Sequence, residues 1–560
     1  MSLGKILVAS GVLQEKDVNK ALARQKQEGG LFGANLIALG LITPEQLETA
    51  LHGFPTAPKG TEDTGVSINI LLRLMLKVIY VGAYETPAEI ADEMMLPYPI
   101  VATLLEEADD RRLVEILGAL DKSVHSQFRY ALTAKGREWA IEALEQSQYA
   151  GPAPVSLDSY IEQIERQKIT NERINKEKIN SGFEGLVVPE SFLDELGPAI
   201  NSGRALLLYG SPGNGKSSIA EGVGKVFEDV IYIPYCLELE GQIIKIFDPT
   251  IHRRVSTENG LKSSALFAQE NQELDQRWVP CRRPVVITGG ELNLEMLDLK
   301  YDPHSKFYVA PLHVKAIGGI FIIDDFGRQI VSPKDLLNRW IIPLEKRIDY
   351  LALRTGKTFS IPFDELVIFS TNMRPEDLMD PAFLRRIPYK LEIGSPTLDD
   401  YRTIFERVCE AQALELTEEM IEFVLEELHA HLEVPVARYQ PKFIVDQVVL
   451  SCRYEGIPPA LSRERIDAAW QNLYVRHTDP NVTYVTQAGG DNSMGPRLLG
   501  SEAHASAGGE VGAALVQLLE SVVHGERDPN KKSNGSSDEH RGEAEDTHTA
   551  HDGPPDPRTA

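Results

Sequence analysis

The stretch ALLLYGSPGNGKSSIAEGVGKVF, residues 205–227, decides the fold of this 560-residue chain. Residues 205–209 form an apolar run of strand length that stops at Gly210. Gly210, Ser211, Pro212, Gly213, Asn214, Gly215, Lys216 and Ser217 then spell GxxxxGK[ST], and the residues from Ser218 onward read as a helix. Glycines let successive backbone N–H groups converge on an anion, and the helix N-terminus adds its partial positive charge. The pattern predicts a phosphate cradle made of residues 210–218, with Lys216 reaching the β and γ phosphates of ATP and the Ser217 hydroxyl ligating Mg²⁺.

Further along, GGIFIIDDFGRQ carries four apolar residues, 320–323, that read as a buried parallel strand ending in Asp324 and Asp325. After a phosphate cradle, such an acidic strand end predicts a second metal-binding position at Asp324. LVIFSTNMRPEDL supplies a third strand, ending in Asn372. MDPAFLRRIPYKLEIG brings Arg385 and Arg386, and the pattern from 396 to about 476 is helical throughout.

Strand, phosphate loop, helix, acidic strand, polar strand end, paired arginines and helical segment together resemble the AAA+ ATPases over roughly residues 183–476. The resemblance implies an α/β P-loop core at 183–395 and a helical lid at 396–480. Asp324 would hold Mg²⁺ through water, and Asp325 would orient the attacking water where the family usually has glutamate. Asn372 resembles sensor 1, Arg385 or Arg386 the arginine finger that completes a neighbour's site, and Arg438 or Lys442 sensor 2. Lys216 and Asp324 lie 108 residues apart, which is long for one helix and one strand and implies an insertion. EKRIDYLALRTGKTFSIPFDELVIFSTN places an alternating hairpin, turning at 354–357, before the third strand. That hairpin is similar to the one marking the pre-sensor-1 hairpin clade, which includes MoxR-type chaperones and enhancer-binding activators. The activators' GAFTGA loop has no match here.

The N-terminal residues contain a repeat, in which Gly4, Leu7, Gly11, Val18 and Leu22 pair with Gly33, Leu36, Gly40, Leu47 and Leu51. LGKILVASGVLQEKDVNKALARQ and FGANLIALGLITPEQLETAL resemble the N-terminal domain of type II secretion and type IV pilus assembly ATPases over residues 1–54. Members of the MshE type bind cyclic di-GMP through it. Their repeats open with Arg and close with Gln, whereas these open with Ser2 and Leu31 and close with Gln25 and Phe54. Serine and leucine cannot supply arginine's planar fork, so binding of cyclic di-GMP is expected to be weak or absent.

A polar linker, 55–65, leads into 66–147, which reads as helices at 71–80, 88–95 and 98–117, a strand pair at 128–135 and a last helix. ALTAKGREWA resembles the wing and final helix of winged-helix domains. The third helix carries Glu106, Glu107, Asp109, Asp110 and Glu115 against Arg111 and Arg112, which argues for a protein contact over duplex DNA. Residues 148–182 read as a hinge and a charged linker helix, and 489–560 as a disordered tail.

The net charge of −26 makes nucleic acid a poor default partner. No apolar run approaches the roughly 20 residues of a membrane span, and no secretory signal opens the chain, so a cytoplasmic location is expected. Four scattered cysteines, Cys236, Cys281, Cys409 and Cys452, read as buried thiols. The expectation is a multidomain ATPase converting ATP and water to ADP and phosphate. It would work as a homo-oligomer, hexameric by family resemblance, on a protein partner selected by residues 1–147. The alternatives are a nucleotide-gated adaptor with little turnover, or a secretion-associated regulator sensing cyclic di-GMP.

Overall fold

Apolar residues at helical spacing draw Ile68–Gly82, Pro87–Met94 and Tyr98–Asp110 around one core containing Leu71, Met75, Ile90 and Leu104. The computed structural model describes residues 13–28, 32–43, 55–119, 128–255, 274–430, 434–476 and 485–487. The second helix starts in a capping box between Thr86 and Glu89. The expected helix over 98–117 stops short, at Asp110. Arg112 takes a positive φ of 59°, the Leu113 N–H closes on the Ala108 carbonyl at 2.7 Å, and the aliphatic run beyond turns into a strand. That strand, Val114–Ala119 (β1), pairs antiparallel with Phe128–Leu132 (β2), so the strand pair is made by 114–119 with 128–132 and does not lie within 128–135. The helix Ala134–Gln146 follows, capped by Thr133. Glu106, Asp109 and Asp110 of the third helix are exposed.

In the N-terminal repeat, Glu15–Glu28 and Phe32–Ala38 are helices, and Gly40 follows at a φ of 66°. Val18, Ala21, Phe32 and Leu36 pack into one cluster with Tyr232 and Trp278. Ser2, Leu31 and Phe54 lie outside the described residues, as do the tail 489–560 and the other two repeat helices.

Residues 55–65, expected as a linker, are built into the fold. Asp275 donates its N–H to the Pro55 carbonyl at 3.0 Å. Arg277 donates to the carbonyls of Thr64 and Pro154, both at 3.0 Å, while its remaining nitrogens hold the Asp275 carboxylate. Both members of that pair are about 3% exposed. The linker helix expected in 148–182 is also replaced. Val155–Ser156 (β3), the helix Leu157–Arg166, a turn at Ile169–Asn171 and the helix Lys176–Phe183 take its place. Burial of two glutamines breaks the continuous helix: Gln167 exchanges two 2.9 Å hydrogen bonds with the Tyr232 backbone, and Gln163 donates to Gln167. Ile169, Ile179 and Phe183 share a core with Leu206, Ile219 and Ile320, so the α/β domain begins before residue 183.

That domain runs through Leu206–Tyr209 (β4), the helix Lys216–Val226, Val230–Pro234 (β5), Cys236–Leu239 (β6), Gln242–Lys245 (β7), Trp278–Arg282 (β8), Val285–Thr288 (β9), Lys300–Asp302 (β10), Phe307–Val309 (β11), Ile320–Ile323 (β12), Ile348–Ala352 (β13), Thr358–Pro362 (β14), Leu366–Thr371 (β15) and Tyr389–Glu392 (β16). Five strands form a parallel sheet in the order β16-β4-β15-β12-β9. β12 and β15 are buried at every residue, which their interior positions require. The insertion before Asp324 holds the β5–β8 ribbon and most of a second sheet, β10-β11-β7-β6-β3. Cys236 and Ile243 of that sheet join the core built by the helices Ile68–Gly82, Pro87–Met94 and Tyr98–Asp110. All four cysteines are buried free thiols.

The alternating hairpin is β13 paired with β14. Its base is held by Asp349, which is buried between Arg339, at 2.6 and 2.9 Å, and His313 Nε2, at 2.8 Å. Beneath it lies Glu365, fully buried, with no hydrogen-bond partner for either carboxyl oxygen among the described residues. Burial pushes Glu365 well above the ordinary carboxyl value. Arg347 opposes this, while Asp364 and Asp349 add to it. Burial also raises its neighbour Asp364, to about 6. A carboxyl raised by folding is fully tolerated below its unfolded value and costs stability as pH rises through its folded value. The wild type should therefore lose melting temperature as pH rises out of the ordinary carboxyl range of about 4, and Glu365→Gln should lose less. Equal slopes in thermal melts across that range would remove Glu365 from this role.

Beyond β16, the helices Leu398–Ala411, Glu418–Glu422 (continuing as a π-helix, Phe423–Ala430), Gln440–Glu455 and Arg463–Gln471 enclose Tyr401, Phe405, Ile444 and Trp470. The segment is not helical to its end, because Tyr474–Arg476 (β17) pairs with Val485–Gln487 (β18). Among the described residues, no helix is long and apolar enough to cross a membrane.

Candidate nucleotide site

In an open parallel sheet, ligands gather beyond the carboxyl ends of the strands. β4 delivers the glycine loop there, β12 delivers Asp324 and Asp325, and β15 delivers Asn372. Gly210 has a φ of 141°, and a β-carbon on it would stand 2.3 Å from the Ile393 carbonyl oxygen. Gly213, at a φ of 76°, lies under the Tyr439 ring, 2.3 Å from where a β-carbon would be. The loop can follow this path only with glycine at both positions.

Lys216 is buried, and its Nζ donates to the carbonyls of Gly210 and Ser211, both at 2.9 Å. Burial lowers its pKa below the ordinary lysine value, and Asp325 and Asp324 pull it back up. The Ser217 hydroxyl donates to Asp324 Oδ2 at 2.6 Å. Asn372 Nδ2 donates to Asp325 Oδ1 at 3.1 Å. Residues predicted from three separate motifs therefore meet side chain to side chain.

These groups line a cavity of about 700 Å³, within the usual size range of small-molecule sites. Residues 212–218 line it, whereas Gly210 and Ser211 face Lys216 with their carbonyls. Leu186, Val188, Ile404, Val408 and Phe443 give it an apolar wall, contributed by the segment before the helix Glu190–Ser202 and by two lid helices. None of those five carries a motif, and only the i, i+4 spacing of Ile404 and Val408 hinted at a shared face.

The lid touches the loop directly. Tyr439 donates its N–H to the Gly213 carbonyl at 3.0 Å, and Arg438 donates Nη1 to the Gly394 carbonyl at 2.8 Å. Lys442 also lines the cavity, but its ammonium is bound to Asp446 at 2.6 Å. Arg385 and Arg386 do not line this chain's own cavity. Arg386 pairs with Glu345 at 2.6 Å and donates to the Ala382 carbonyl, and Arg385 is exposed.

The residues fit a nucleotide with its metal. Asn214 Nδ2 and Arg438 Nε are buried donors beside the cavity without hydrogen-bond partners among the described residues. A hydroxyl and a carboxylate oxygen side by side, Ser217 and Asp324, form a hard-oxygen donor pair of the kind Mg²⁺ takes. Among the described residues, no cluster of three His, Cys, Asp or Glu could hold a metal ion.

Residues 397–472 match a family described as a domain of unknown function (DUF8689). No curated protein matches the chain. Among solved structures, the chain is similar to the Thermotoga maritima RuvB Holliday junction branch migration motor, with 14% identity, 57% of this chain and 72% of that one covered, and a TM-score of 0.27. It is also similar to NtrX from Brucella abortus, with 13% identity, 62% and 64% coverage, and a TM-score of 0.32. Domain III of the Thermotoga maritima replication initiation protein DnaA gives 14% identity, 54% and 98% coverage, and a TM-score of 0.29. Scores of this size carry no argument, and the reading below rests on the site's geometry.

Proposed function

We propose that this chain is an ATP-hydrolysing AAA+ ATPase that works as an oligomer on a protein partner. One observation supports the reading above all: Lys216, the Ser217–Asp324 pair and the Asp325–Asn372 pair converge at the ends of three adjacent parallel strands, in one cavity walled by lid helices. Lys216 would leave the loop carbonyls for the β and γ phosphates, which are better acceptors for an ammonium. Ser217 and Asp324 would hold Mg²⁺, which supplies neutralisation of phosphate charge when bound. Asp325 orients the lytic water and takes its proton, while Asn372 fixes the Asp325 carboxylate. Arg438 is favoured over Lys442 as the lid's phosphate sensor, because the Lys442 ammonium is already paired.

Arg385 or Arg386 would serve a neighbour's site, so one subunit is incomplete alone. The test is a mixture of two inactive preparations. Lys216→Ala keeps its arginines, and the double variant Arg385→Ala/Arg386→Ala keeps its site. Together they should recover partial phosphate release wherever an intact site faces an intact arginine. Failure to rescue, with both proteins folded and co-assembled, would reduce the arginines to partners of Glu345 and Pro381. The adaptor reading keeps one support, the short Asp325 side chain. Purified protein that binds ATP yet releases no phosphate would favour it.

A further inference from the structure

The turn that carries Asp325 is held by a residue outside the cavity. Gln329 donates Nε2 to the carbonyls of Asp324, at 2.8 Å, and Asp325, at 3.1 Å, and its Oε1 accepts the Gly327 N–H at 2.8 Å. One side chain thus ties together three backbone groups of the single turn at the end of β12. Inside this ring of bonds Asp325 has a φ of 49°, in the left-handed region that residues with a β-carbon disfavour. Such a conformation persists only where its surroundings over-determine it. The next residue is pinned from the other side: Phe326 donates its N–H to the Ser370 carbonyl at 2.7 Å and accepts from Thr371 Oγ1 at 2.8 Å.

Aspartate reaches one methylene less far than glutamate. A short side chain can still deliver its carboxylate if the backbone beneath it is turned, and here Asp325 Oδ1 does reach Asn372. We propose that Gln329 is the positioning residue of the hydrolytic carboxylate, locking the left-handed turn that lets aspartate do this work. It does not line the cavity and acts through Asp325. The inference rests on the hydrolysis reading above.

The test uses the full chain with ATP and Mg²⁺. Gln329→Leu keeps the bulk and loses every hydrogen bond. Gln329→Glu keeps the acceptor for Gly327 and loses both donors. Misplacing a reacting group by about an ångström costs on the order of a hundredfold. Both variants should bind ATP within about twofold of wild type, with KM unchanged and kcat reduced roughly 10- to 100-fold. In nucleotide-free protein, the Gly327 amide should exchange its hydrogen faster in Gln329→Leu than in Gln329→Glu. Faster exchange with unchanged kcat overturns the inference and leaves the ATPase reading standing. A parallel loss of ATP affinity and kcat in both variants also overturns it, since that marks a general structural role. A wild type that binds ATP and never releases phosphate overturns both.

Discussion

Lys216→Ala should lose ATP binding at concentrations that saturate the wild type. The ammonium is buried, and its hydrogen bonds go to two carbonyls of its own loop. Removing the cationic half of a buried charge pair costs about 2–5 kcal/mol. That corresponds to a loss of roughly 30- to several-thousand-fold in affinity. A fluorescent-nucleotide titration on the folded variant measures it. Wild-type affinity in Lys216→Ala would falsify the phosphate-cradle reading, and every later assignment with it.

Asp325→Asn should separate binding from turnover. The amide keeps the size of the carboxylate and can still accept the Asn372 hydrogen bond, so the cavity keeps its shape. What is lost is the proton acceptor, and general-base removal typically costs about 10²- to 10⁴-fold in rate. ATP affinity should stay within about threefold of wild type while phosphate release falls by at least about a hundredfold. Size-exclusion chromatography in ATP should then hold the variant in its assembled form. Unchanged phosphate release would mean that another carboxylate serves, or that the site hydrolyses without a base.

The chemistry at the strand ends was legible because each piece is contiguous in sequence. A phosphate loop needs its glycines, lysine and serine in one run, and an acidic strand end declares itself by four apolar residues before two aspartates. The hairpin over β13 and β14 was legible for the same reason, its alternation being local. Interactions that close over long separations were not. Gln163 and Gln167 fall in the segment expected as a hinge and charged linker helix, since nothing nearby announces that the Tyr232 backbone will satisfy Gln167. Residues 114–117 read as the end of a helix because the strand partner, Phe128–Leu132, is not adjacent in sequence. The apolar wall of the cavity is assembled from segments more than 200 residues apart, and Gln329 looks like any turn glutamine until its three partners are seen.

Arg277 has a mechanical meaning. By gripping the Thr64 carbonyl it short-circuits a span of 213 residues, and by gripping Pro154 it closes a second loop inside the first. Tension applied at residues 55–64 therefore has a direct route into the strand Trp278–Arg282 beside the one through residues 66–147. Removing Arg277 would strand the buried Asp275 carboxylate, at about 3–5 kcal/mol. A pull on residues 55–64 reaches the insertion through Arg277 as well as through the helices that follow residue 66.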